Sequence, residues 1–126
     1  MSNIRALKPR DRILFDAESI ASIYRNVGPM VAERMINRAF MTLSDVLMIA
    51  KSFSEGGRFT ELDAKLAEIC ILADNLGLTT LSFVAQHARD NLKDGTLLSF
   101  DAVWARLLRV ADQSMTLQSA HCDQLS

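Results

Sequence analysis

Between two breaker sites, "NVGP" (Asn26 to Pro29) and "EGG" (Glu55 to Gly57), the chain carries one long stretch with apolar residues three and four apart. Val31, Met35, Ala39, Thr42, Val46, Ile49, Ala50 and Phe53 follow that spacing. It predicts a single helix from about Met30 to Ser54 with this stripe turned inward. Pro29 suits the first turn, where its missing N–H would be unpaired in any case. The glycines of "EGG" suit a C-terminal cap.

The rest of the chain reads the same way. A short helix is expected after Asp16, which serves as its cap with Ser19 in the first turn, and Ile20, Ile23 and Tyr24 form its apolar side. A third helix spans about Phe59 to Asn75 and stops at Leu76-Gly77. A fourth starts near Thr79, with Thr79 or Thr80 as its cap, and reaches about Leu92 before "KDGT" turns the chain. The last runs from a serine cap near Ser99 to about Gln118, ahead of a frayed "SAHCDQLS" end. No segment alternates as a strand would. The expected fold is all-α: an antiparallel up-and-down four-helix bundle with a short extra N-terminal helix. Residues 1–15 form a lead-in, 16–120 the bundle and 121–126 the tail.

Composition narrows the function classes. The chain has 126 residues, enough for one domain. A net charge of -1 gives no footprint for nucleic acid, and Asp11 and Asp16 dilute the one basic cluster, Arg5, Lys8, Arg10 and Arg12. No run of about 18 apolar residues appears, so no membrane span is expected. Two cysteines, Cys70 and Cys122, make no disulfide framework and point to a reducing, cytoplasmic setting.

The stretch "LAEICILADNLGLTTLSFVAQHARDNLKDG", after a long helix ending in "EGGRFTELDAKL", resembles the histidine-containing phosphotransfer (HPt) domains. The Leu76-Gly77-Leu78 break, Leu81 in the following helix and the "KDG" turn carry the likeness, which covers about residues 28–112. It implies a four-helix bundle that exchanges phosphoryl groups with response-regulator receiver domains. The family's phosphoacceptor histidine lies ten residues before the break glycine, and that position here is Ala67. The family's lysine falls at Cys70 and its small residue at Ile71. Alanine has no lone pair to attack an acyl phosphate, so no transfer is expected there. The resemblance implies the fold and the partner class; the residues remove the reaction.

At about 100° per residue, Leu62, Leu66, Ile69, Ala73 and Leu76 share one side of the third helix. Thr60, Ala64, Ala67 and Ile71 share the opposite side, where the family docks its receiver. Three readings compete for that side. It docks a partner or a second copy, with Ala64, Ala67, Ile71 and Asp74 as the binding residues; or Ile13, Leu14 and the short helix cover it; or the register is wrong.

Other residues read as structural. His87 is the one remaining candidate phosphoacceptor, with a structural helix-surface position as its plainer role. His121 beside Cys122 lacks the further ligands a metal needs. Met30, Met35, Met41 and Met48 on the long helix read as core filler rather than as an adaptable groove. Trp104, with Val103, Leu107, Leu108 and Ala111, reads as the inner side of the last helix. Cys70 reads as buried or half-buried and unreactive. Glu33-Arg34, Arg38 and Asp45, and Arg89-Asp90 with Lys93, read as solvated. Glu61 and Asp63 sit two apart, on different helix sides, and no phosphate loop or catalytic triad is spelled out. The expected function is therefore non-catalytic: an HPt-like protein that docks a receiver domain or a histidine kinase hairpin without cofactor or metal. Phosphotransfer through His87, and a self-associating helical protein with no signalling role, are the alternatives.

Overall fold

A computed structural model describes the backbone of residues 13–95 and 97–125, and the side chains of 13–95 and 101–117. The expected lead-in up to residue 12, with its basic cluster, and the side chains of His121 and Cys122 lie outside these residues. Among the described residues the protein is wholly helical, with five helices: α1 (Ala17–Val27), α2 (Pro29–Glu55), α3 (Phe59–Asn75), α4 (Thr79–Asp94) and α5 (Leu97–Leu125). No helix among them is long and apolar enough to cross a membrane.

The breakers act where the sequence places them. The Asp16 carboxylate accepts the Glu18 N–H at 3.0 Å and starts α1. Gly28 and Pro29 separate α1 from α2, and the Gly56 N–H caps α2 on the Ser52 carbonyl at 3.1 Å. Two expectations fail at helix starts. Neither Thr79 nor Thr80 caps α4: its N-cap is Leu78, with no side-chain hydrogen bond. The Thr80 hydroxyl instead accepts the Leu14 N–H at 2.7 Å, because the segment before α1 crosses the α3–α4 turn. Helix α5 begins ahead of Ser99, which lies inside it, and its backbone stays helical past Gln118 to Leu125, where fraying was expected.

Consecutive helices pack on one another, α2 on α3, α3 on α4 and α4 on α5, with a thinner contact from α2 to α5 and α1 laid against α2. Asp63 pairs with Arg89 and Cys70 with Ser82, so α3 and α4 run antiparallel. The core joins Ile20 of α1, Ile36 and Leu43 of α2, Leu62, Leu66 and Ile69 of α3, Leu81 and Val84 of α4, and Leu107 and Val110 of α5. Trp104 and Leu108 are half-buried beside it.

The inward face of α2 matches the expected one only in part. Ala32, Ile36, Leu43, Val46 and Ala50 are buried, whereas Val31, Met35, Thr42 and Ile49 are exposed. Val46 and Ala50 belong to both stripes, and Ala39 and Phe53 are half-buried against the core. The departures, Val31, Met35, Thr42 and Ile49, each fall one residue, about 100°, before a buried neighbour. Ala32 and Ala50 are fully buried, a packing role that their small size conceals in the sequence. The methionines consequently do not fill the core: Met30, Met35, Met41 and Met48 all face solvent.

One core position is imperfect. Ser114 is 0% exposed, and its hydroxyl has no hydrogen-bond partner among the described residues. A buried hydroxyl without a partner costs roughly 1–3 kcal/mol. Ser114→Ala is therefore expected to stabilise the fold by about 1 kcal/mol, seen as a higher urea midpoint at unchanged slope. A lower midpoint would show that the hydroxyl has a partner after all.

Candidate docking face on helices three and four

Helix α3 divides as its periodicity requires. Leu62, Leu66, Ile69, Ala73 and Leu76 are buried, while Thr60 and Ala64 are exposed, Ala67 is half-buried and Ile71 is 61% exposed. Asp74, also exposed, ends this outer row. The four residues expected to form a binding surface, Ala64, Ala67, Ile71 and Asp74, thus share one side.

The segment before α1 does not cover them. It crosses the α3–α4 turn instead, with the Asp16 N–H donating to the Gly77 carbonyl at 2.6 Å and the Thr80 N–H to the Leu14 carbonyl at 3.2 Å. The internal-cover reading of Ile71 therefore fails for the described residues.

Helix α4 adds a residue that the sequence reading missed. The Cys70 Sγ–H donates to the Ser82 carbonyl at 3.7 Å, which sets those two residues at the same height on the paired helices. Ile71 and Phe83 each lie one residue further along, about 1.5 Å in opposite directions. Phe83 is 66% exposed, so the two form neighbouring apolar knobs on one outer surface. Phe83 falls opposite the Leu81, Val84, Ala85, Ala88 stripe, and the helical-wheel construction used for α3 would have found it.

Around the knobs the surface is held firm. Arg89 Nε donates to Asp63 at 3.0 Å, a half-buried pair that ties α4 to α3 and raises the Arg89 pKa, chiefly through that hydrogen bond. Arg89 is thus a clamp rather than the solvated residue expected. Glu61, two residues from Asp63, turns to Arg58 instead. The Glu61 pKa is lowered first by a backbone hydrogen bond and then by that guanidinium.

Cys70 is half-buried, and burial pushes its thiol pKa up, against a smaller opposing pull from Arg89. The thiolate is the reactive form. In a Cys122→Ser background, Cys70 is expected to react with a disulfide reagent at pH 8 more slowly than an unperturbed thiol. A rate equal to that of free cysteine would contradict this.

His87 stands exposed on α4, one turn beyond Phe83, and its carbonyl accepts from the Asn91 side chain at 3.1 Å. Ala67 offers no nucleophile at the centre of the α3 row. The arrangement can bind an apolar partner surface; transfer chemistry would have to come from His87.

No family model, curated protein or solved structure matches this chain. The likeness to HPt domains therefore stands on the helix break and its flanking residues alone.

Proposed function

We propose that this chain is a non-catalytic, HPt-like binding protein of a two-component pathway. It docks a receiver domain or the helical hairpin of a histidine kinase through the outer face of α3 and α4. In this reading α2 to α5 form an antiparallel up-and-down bundle with α1 across one end, and the protein works in the cytoplasm beside its partners. The observation that supports it is the exposure of Ile71 beside Phe83 on the side where the resemblance puts receiver docking, with Ala67 in the phosphoacceptor's place. Burying an isoleucine side chain contributes about 1.5–3 kcal/mol, enough for it to anchor a partner. Occupying a receiver without accepting its phosphate would inhibit or scaffold the relay.

Titration against a panel of receiver domains and kinase hairpins tests the reading. A member of the panel should bind, and Ile71→Asp should weaken that binding more than tenfold while leaving the helical circular dichroism unchanged. Binding that ignores Ile71→Asp would move the interface elsewhere, and no binding to any member would end the signalling reading.

The exposure of His87 keeps one alternative in the same experiment. If a phosphorylated receiver leaves acid-labile label on the wild-type protein and none on His87→Ala, the protein is a phosphotransferase.

A further inference from the structure

The outer side of α2 carries a second apolar surface, separate from the α3–α4 face. Met41 is 68% exposed and Met48 72%, and Met30, Val31, Met35 and Ile49 are exposed with them. Arg34, Arg38 and Asp45 stand among these residues, all exposed and none in an ion pair among the described residues. Val31, Arg34, Met35, Arg38, Ala39 and Thr42 line a shallow groove of about 660 Å³ along the same side.

The order of these residues decides what fits. Arg38 and Asp45 lie at equal distances on either side of the point between Met41 and Thr42, and so do Met35 and Met48, and Arg34 and Ile49. Arg38 and Asp45 are seven residues apart, nearly two full turns, so they project from nearly the same side of the helix. Two α2 helices laid antiparallel about that point set Arg38 against Asp45 of the second copy, twice by symmetry. The same register stacks the Arg34 stem on Ile49, while Met35 and Met48, thirteen residues and about 140° apart on the helix, flank the contact on opposite sides. Parallel in-register pairing would instead set Arg38 on Arg38 and Asp45 on Asp45. The face is therefore complementary to itself about a two-fold axis, the condition for an isologous dimer.

We infer that the outer face of α2 binds a second copy of this chain, antiparallel, with reciprocal Arg38–Asp45 ion pairs in a contact flanked by methionines. One helix face makes a small interface, so the dimer forms reversibly and weakens with salt.

Sedimentation equilibrium of the full chain, from about 10 μM to about 1 mM, spans the affinities such a contact supports. The mass is expected to rise from the monomer's 14.0 kDa toward twice that value as concentration increases. Arg38→Asp alone, or Asp45→Arg alone, sets like charges together at both ends of the contact, and either should weaken dimerisation at least tenfold. The double variant exchanges the two charges and should recover the wild-type dimer, while Ile71→Asp should leave it unchanged. A mass fixed at the monomer's value would overturn the inference and give the α2 face to a different partner. Single variants without effect, a double variant that stays monomeric, or a dimer lost in Ile71→Asp would overturn it equally. Circular dichroism confirms that each variant is folded; at these exposed positions unchanged spectra are expected.

Discussion

Gly77→Ala should destabilise the protein by about 3 kcal/mol, lowering its melting temperature by roughly 10 °C. Gly77 ends the α3 break with φ at +72°, a left-handed conformation that costs an L-residue roughly 1–2 kcal/mol. Conformation is the smaller part of the penalty. A Cβ on Gly77 would collide with the Asp16 carbonyl oxygen and stand 3.0 Å from the Ser19 Cβ. Asp16 is held at that distance because its N–H donates to the Gly77 carbonyl, and it also caps α1. The methyl group therefore pushes the start of α1 away from the turn and strains the hydrogen bonds that Leu14 and Asp16 make across it.

Gly57 supplies the control. Its φ is +70°, but a Cβ there meets nothing within 4 Å. Gly57→Ala should cost only the conformational part, about 1 kcal/mol. Thermal melts of the two variants separate strain from collision. Equal losses would mean that the segment before α1 does not lie on the α3–α4 turn.

That close approach also marks the limit of what could be read from the sequence. The Leu76-Gly77 break was legible because glycine after an apolar helical run is a local signal. The partner of the break was not, because Thr80 and Leu14 lie 66 positions apart. A threonine at a helix start reads as a cap, and nothing local says that its hydroxyl is already engaged.

Helix α3 was legible on both sides. Its large aliphatic residues cluster over a narrow arc, and small residues face them from the opposite side. Helix α2 was legible only at Ala39, Val46, Ala50 and Phe53, since it is apolar over most of its circumference. Val31, Met35 and Thr42 compete there with Ala32, Ile36 and Leu43, and neighbouring helices, rather than α2 itself, select the buried set. Size favours the wrong stripe: alanines let helices approach, while methionines stay outside. The candidate site follows the same division. Ile71 was found from the α3 pattern, whereas Phe83 becomes relevant only once the antiparallel pairing of α3 with α4 brings it level.

Leu66 and Ile71, five residues apart on α3, should respond oppositely to the same truncation. Leu66 is 0% exposed within the core. Leu66→Ala removes buried methyl groups and leaves a cavity, a loss of about 2–5 kcal/mol, most of the stability of a marginal domain. Ile71 is 61% exposed, so its truncation opens no cavity. Alanine is also the better helix former, because the β-branched chain of isoleucine is restricted against the preceding turn. Ile71→Ala should therefore be neutral or stabilising by a few tenths of a kcal/mol. Urea unfolding of both variants reads the rotational setting of α3 directly, without any partner being known. If Ile71→Ala loses as much as Leu66→Ala, then Ile71 is covered in solution and the docking face is closed. If the two separate as expected, an exposed isoleucine that contributes nothing to folding remains beside Phe83. Any loss of binding in Ile71→Ala then reports on the partner, because the fold itself is unchanged.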